Sequence, residues 1–365
     1  MDKMRSSDGR KMKAENVLFE TFRALKKVPA PKGINSREIV QRAIEFKDPP
    51  RIPYFFQYNP SATDIIIIGP LSATATGHEG KIGEQYTDAW GTTWEVTGRL
   101  WDHPIKFPLK DLSMLDSYKC PDVTRPICEP SIKWFSKLAF GRGKYLLGLN
   151  PLYMFETMRS LMGFEELMMA PYTQPDGLRK LLDRLSGIVI QAIDIYASMG
   201  VFSGFITYED WGMQNMLQMK IDTFREFYKP VYKRIADACH KHKMHFFWHN
   251  CGYIVDMFPD MIEIGVDVVQ LDQPRLMGHQ KLIDTLGGKI CMWNTVDIQW
   301  SVQDDISEND IRNEVAEMVR IYDVKRCHGG FIAKHYNQPW DINLPPDRQR
   351  LIYEAFIENG CRSLS

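Results

Sequence analysis

Met244-His245-Phe246-Phe247-Trp248-His249-Asn250-Cys251-Gly252 reads as a buried strand that ends in chemistry. A run of apolar residues closed by a glycine suits a central strand of a sheet. His249 and Cys251 stand at i and i+2, so both project to one side of an extended backbone. An imidazole nitrogen and a thiolate converging on one spot are typical zinc ligands, and a catalytic zinc needs one further protein ligand and an open position. The plainer alternative is a satisfied core histidine beside an inert cysteine. The rest of the chain weighs between the two.

On either side of this strand the chain alternates. Lys144–Leu149, Gly204–Tyr208, Val266–Leu271, Lys289–Trp293 and Gly329–Ala333 read as further short strands. Between them lie helical patterns. Leu178 to Tyr196 carries apolar residues at helical spacing, and Asp222 to about His242 contains Pro230, expected to kink the helix or mark its first turns. Ser307 with Asp310 opens another helix, and Pro346 to Asn359 is closed by Gly360. Asn35 with Glu38 forms a capping-box start for an early helix, which Pro49-Pro50 stops before a candidate first strand, Arg51–Phe56. Alternation over more than half of the chain predicts an α/β fold with a parallel sheet and outer helices. Seven or eight strands favour a (β/α)8 TIM barrel over an open sheet, and no Gly-x-Gly-x-x-Gly follows an early strand. Residues 1–34 are expected to be an N-terminal helical arm and 35–365 a single barrel domain. The aromatic-rich segment from about Gln85 to Asp122 breaks the alternation as a hairpin insertion.

The composition narrows the functional classes. A net charge of -1, with 45 basic and 46 acidic residues, gives no electrostatic reason to expect nucleic acid or an anionic membrane as partner. Seven scattered cysteines suggest a reducing compartment rather than a disulfide framework. No signal peptide is visible, and the longest purely aliphatic run, Ile65 to Ile68, is too short to span a bilayer. The expectation is a soluble cytoplasmic protein. Its oligomeric state is left open, a homodimer included.

In such a barrel the chemistry sits where the strands end. Those ends read Gln57-Tyr58-Asn59, Asn150-Pro151, Glu209-Asp210-Trp211, His249-Asn250-Cys251, Asp272-Gln273-Pro274, Asn294-Thr295-Val296-Asp297 and Lys334-His335-Tyr336-Asn337. Nearly every one carries a ligand-type or amide side chain, while strand interiors are apolar. Glu209, Asp210 and His249 are the catalytic candidates. The carboxylates are metal ligands or acid/base groups on one reading and a helix cap and a solvated charge on the other. Tyr58, Asn59, Asn150, Trp211, Asn294, Lys334 and Tyr336 are the substrate-binding candidates, with the aromatic rings equally at home in a core and the asparagines as turn formers. His240, His242 and His245 read as helix-terminal charge placement, and Met213, Met216 and Met219 as core filler or a docking stripe.

The phrases Tyr208-Glu209-Asp210-Trp211-Gly212-Met213-Gln214, His249-Asn250-Cys251-Gly252, Leu271-Asp272-Gln273-Pro274, Val296-Asp297-Ile298-Gln299 and Gly329-Gly330-Phe331-Ile332-Ala333 resemble the uroporphyrinogen decarboxylase superfamily. More narrowly they resemble its methyltransferase-type branch, which includes corrinoid-dependent methyltransferases and O-demethylase components. The true decarboxylases carry an Arg-Gln-Ala-Gly-Arg stretch after the first strand; here that place reads Gln57-Tyr58-Asn59-Pro60-Ser61, without an arginine to hold a substrate carboxylate. The resemblance implies a zinc site in which His249 and Cys251 are joined by a third ligand. His335 is the candidate for that place, with Glu209, Cys291 and Cys327 as rivals. It also implies methyl transfer from a methoxylated, aromatic substrate to the Co(I) of a corrinoid (cobalamin) carried by a separate partner protein, because the chain has no Asp-x-His-x-x-Gly of its own. A decarboxylase or lyase acting on a small acid without metal, through Glu209, Asp210 and Lys334, is the alternative, and a non-catalytic binding subunit is a third.

Overall fold

The computed structural model describes residues 30–56, 63–70, 80–98, 102–322, 328–337 and 339–360. Among them, eight strands form one sheet: β1 (Tyr54–Phe55), β2 (Ile65–Ile68), β6 (Tyr145–Leu149), β7 (Gly204–Glu209), β8 (His245–Asn250), β9 (Val268–Leu271), β10 (Cys291–Asn294) and β11 (Phe331–Lys334). Their order is β1-β11-β10-β9-β8-β7-β6-β2, with parallel pairing in β1–β11, β10–β11, β6–β7 and β7–β8. From β2 onward helices alternate with the strands of this sheet, which is the architecture of a (β/α)8 barrel. The four isoleucines of β2, weighed in the sequence only as a membrane span, are a barrel strand. A second sheet holds β3 (Gln85–Thr87), β4 (Thr93–Glu95) and β5 (His103–Lys106), antiparallel, where a hairpin insertion was expected. Most of the expected helical arm, residues 1–29, lies outside the described residues. No described helix is long and apolar enough to cross a membrane.

The chain divides into two compact units, 1–66 with 135–146 and 271–365, and 67–134 with 147–270. In the first, Asn35 caps the helix Ser36–Ile44 by accepting the Glu38 N–H at 3.0 Å, and Ser307 and Asp310 make a reciprocal capping box on the helix Glu308–Ile321. Arg51 grips Asp64 through two bonds of 2.7 and 2.8 Å, while Lys144 donates to the Thr63 carbonyl at 2.5 Å. All three charged groups are buried, and burial pushes the Lys144 ammonium down to about 8.

The second unit carries β7 and β8 in register, Tyr208 opposite His249 and Glu209 opposite Asn250. Strand alternation then sorts the residues: Tyr208, Asp210, His249 and Cys251 share one face, Glu209, Trp248 and Asn250 the other. The second face is roofed by the helix Lys229–Lys241 and by the π-helical turn Phe224–Tyr228 ahead of it. Pro230 is the second residue of that helix and directly follows the π-helical turn, a wider turn of the kind that accommodates a residue lacking its N–H. Tyr232 stacks on Trp248 with ring centroids 4.1 Å apart. His240 and His242 pair with Asp267 and Asp194 at 2.8 and 2.6 Å, as helix-end charges.

Candidate metal centre

One grouping among the described residues brings three metal-type ligand atoms within 4.8 Å of one another: Asp210, His249 and Cys251. Strand pairing explains it. Asp210 is the first residue beyond β7 and Cys251 the first beyond β8, one step past the Glu209–Asn250 pair, so the two lie side by side. Glycines hold the strand ends together at that level. The Gly212 N–H donates to the Cys251 carbonyl at 3.2 Å, and a Cβ on Gly252 would lie 2.4 Å from Gly212 backbone atoms. Gly252 has φ +76°, a conformation that favours glycine. The loop that follows Asp210 is pinned back on itself: the Gln218 side-chain amide donates to the Asp210 carbonyl, and the Gln218 N–H to that of Trp211 at 2.9 Å.

Within the group, His249 Nε2 lies 3.3 Å from Cys251 Sγ and 3.9 Å from Asp210 Oδ1. The other ring nitrogen, Nδ1, bonds to the side-chain oxygen of Gln270 on β9. Tyr208 packs its ring against His249 at 5.1 Å, and Tyr153 leans on Tyr208 at 5.5 Å, so two aromatic rings wall this side of the site. His249 is buried, whereas the Asp210 side chain is 48% exposed, which opens the group to an incoming molecule. A nitrogen, a sulfur and a carboxylate oxygen suit zinc, and three protein donors leave a coordination position open. The residues therefore fit a metal.

Glu209 lies on the other face and does different work. Its carboxyl accepts the N–H groups of Met154 and Phe155 at 3.0 and 2.8 Å, capping the helix Met154–Met162, whose own Tyr153 makes no side-chain cap. Thr207 donates a third bond at 2.9 Å. Burial nevertheless outweighs these bonds and pushes the group up to about 8. Glu156, in the first turn of that helix, is likewise pushed up to about 7 by burial, against the pull of Arg159 at 2.7 Å and with Asp210 adding to the rise.

The remaining sequence candidates are distributed as follows. The Asn150 side chain donates to Thr207 Oγ1 at 2.9 Å and accepts the Leu152 N–H at 3.2 Å, tying the end of β6 to β7. Trp211 is enclosed by Phe155, Tyr228 and Phe224 at 4.6, 4.8 and 5.2 Å. In the other unit, Asn294 is buried and donates to the Tyr322 hydroxyl at 3.2 Å. Lys334 forms a buried ion pair with Asp272 at 2.9 Å, with the Trp293 and Tyr336 rings 5.8 and 6.0 Å from its Nζ. His335 is buried beside Phe56, and burial, helped by Lys334, pulls it down to about 3, so it is neutral at physiological pH. Neither His335 nor Glu209 is in the three-residue group. Cys291 opens β10 at the strand's start, and Tyr58, Asn59 and Cys327 lie outside the described residues. Three residues near the group escaped sequence reasoning: Tyr153, Glu156 and Gln270. Only Gln270 left a signal, as the one polar residue in the apolar strand Val268-Val269-Gln270-Leu271.

Residues 153–334 match the family Uroporphyrinogen decarboxylase (URO-D). A methyltransferase from Methanosarcina mazei superposes with a TM-score of 0.59 at 14% identity, over 89% of this chain and 99% of that one. An intracellular xylanase from Thermoanaerobacterium saccharolyticum reaches 0.37 at 10% identity, over 55% of this chain and 68% of its own. A D-psicose 3-epimerase from Clostridium cellulolyticum reaches 0.38 at 10% identity, over 68% of this chain and 86% of its own. No curated protein matches the chain. The chain belongs to the uroporphyrinogen decarboxylase superfamily. Its fold resembles that of the Methanosarcina mazei methyltransferase.

Proposed function

We propose that this protein is a zinc-dependent methyltransferase of the O-demethylase type. It would move a methyl group from a methoxylated, aromatic substrate to the Co(I) of a separate corrinoid protein. The observation that carries the reading is the convergence of Asp210, His249 and Cys251 at the ends of two neighbouring strands. Asp210 is the third ligand on this reading, in place of His335. Asp210 and Cys251 supply two negative charges and His249 a neutral donor, so a divalent cation leaves the group without net charge. Zinc held there would supply Lewis acidity to an ether oxygen, easing departure of the phenolate as the methyl carbon is attacked. Tyr208 and Tyr153 offer flat faces on which an aromatic ring can stack. The half-exposed Asp210 leaves this side open to substrate, while the helix that Glu209 caps brings Glu156 near Asp210 as a group able to hold a proton near neutral pH.

Metal analysis of the purified protein tests the reading, followed by mixing with a Co(I) corrinoid protein and a panel of methyl ethers while the cobalt absorption is watched. About one zinc per chain is expected, lost together with activity in Cys251→Ala. A metal-free protein with full activity refutes it. Release of carbon dioxide from a small acid, with no corrinoid present, would favour the decarboxylase alternative.

A further inference from the structure

His249 turns its two ring nitrogens to two different surroundings. Nε2 faces Cys251 Sγ and Asp210 Oδ1, at 3.3 and 3.9 Å, and Nδ1 meets the side-chain oxygen of Gln270. A neutral imidazole carries one proton. A carboxamide oxygen can only accept, so the proton belongs on Nδ1 and the lone pair on Nε2. In the other tautomer an N–H would point at the sulfur and the carboxylate, and a cation could bind between them only after that proton had moved.

We infer that Gln270 is a positioning residue that sets the His249 tautomer and so presents the Nε2 lone pair to the metal. The strand supports this. Gln270 is a buried carboxamide among Val268, Val269 and Leu271, a place where a side chain chosen only for packing would be apolar. Its neutrality matters as much as its oxygen. With Asp210 and Cys251 already contributing two negative charges, a carboxylate at 270 would add a third and make His249 a stronger donor, at the expense of the metal's acidity. A glutamine orients the ring without that effect. The expected pattern is therefore split: a glutamate at 270 preserves metal binding but slows transfer, whereas a side chain with no acceptor weakens metal binding itself.

The inference rests on the metal-site reading of Asp210, His249 and Cys251 for what the lone pair serves, but its first test needs no metal. In the zinc-stripped full-length protein with 15N-labelled histidine, long-range proton–nitrogen correlations identify the protonated nitrogen of His249, assigned by its loss in His249→Gln. A proton on Nδ1 is expected; an Nδ1 that carries none overturns the inference. Zinc affinity is then measured by competition with a chromophoric chelator. Gln270→Met should bind zinc about 10–100-fold more weakly, and Gln270→Glu within about threefold of the parent or more tightly. Parental affinity with an unchanged tautomer in Gln270→Met overturns the inference. If that variant does not fold, the parent's tautomer and the affinity of Gln270→Glu decide it. A parent protein that binds no zinc at all refutes the methyltransferase reading, while the tautomer result still judges Gln270 on its own.

Discussion

Replacing Glu209 with glutamine should reverse its effect on stability across the pH range. The carboxyl is fully buried, and burial pushes it up to about 8, although two helix N–H groups and the Thr207 hydroxyl favour its anion. In the unfolded chain it titrates at the ordinary value of 4.5. Between those values the unfolded state has given up a proton that the folded state keeps. Stability therefore falls as pH rises through the window, with nothing lost below 4.5 and the full amount lost above about 8. A shift of that size corresponds to about 5 kcal/mol across the window, as an order of magnitude. Glutamine never ionises, but it offers one acceptor to two helix N–H groups and turns an amide NH2 toward the other. Glu209→Gln should thus be about 1–3 kcal/mol less stable than the parent near pH 4.5 and more stable by pH 8. The parent's curve alone would mislead. His335, pulled down to about 3 by burial, makes stability fall as pH drops below 6.5, which opposes the Glu209 slope between 4.5 and 6.5. The difference between variant and parent cancels that term. Urea unfolding at half-unit steps from pH 4.5 to 8.5, followed by tryptophan fluorescence, measures it. A difference that stays constant across the window refutes the account, because it would mean that Glu209 is already ionised at pH 5.

Two further outcomes follow from packing. Gly252→Ala must hold φ +76° and place a Cβ 2.4 Å from Gly212 backbone atoms, so a loss of about 3 kcal/mol or more is expected, read as a fall in Tm with weakened metal binding; a change under about 0.5 kcal/mol counts against the close approach that aligns Asp210 with Cys251. Lys334→Met takes the ammonium partner from the buried Asp272 carboxylate at a cost of about 3–5 kcal/mol, and adding Asp272→Asn should recover most of it; equal stability of the single and double variants in denaturant titrations would show that the pair is not coupled.

The barrel was legible because it rests on local patterns. Strand and helix periods, the caps at Asn35 and Ser307, and glycines at element ends are each decided by residues a few positions apart. His249 and Cys251 were legible for the same reason, since two residues on one strand share a face whatever the rest of the fold does. The run Ile65–Ile68 shows where this ends: four identical residues carry no period, and only pairing within the sheet reveals them as a strand.

Partners across strands were beyond the sequence. Nothing local distinguishes Glu209 from Asp210, adjacent carboxylates at one strand end. The β7–β8 register turns Asp210 toward His249 and Cys251 and sends Glu209 to cap a helix 55 residues away in the chain. The same holds for Gln270, 21 residues from the ring it orients. Composition and spacing determined that a histidine and a cysteine would stand at a barrel strand's end. Which third group joins them, and which ring nitrogen faces that group, was decided by hydrogen-bonded register between strands, because a side chain's neighbours across a sheet are set by pairing that no single segment encodes.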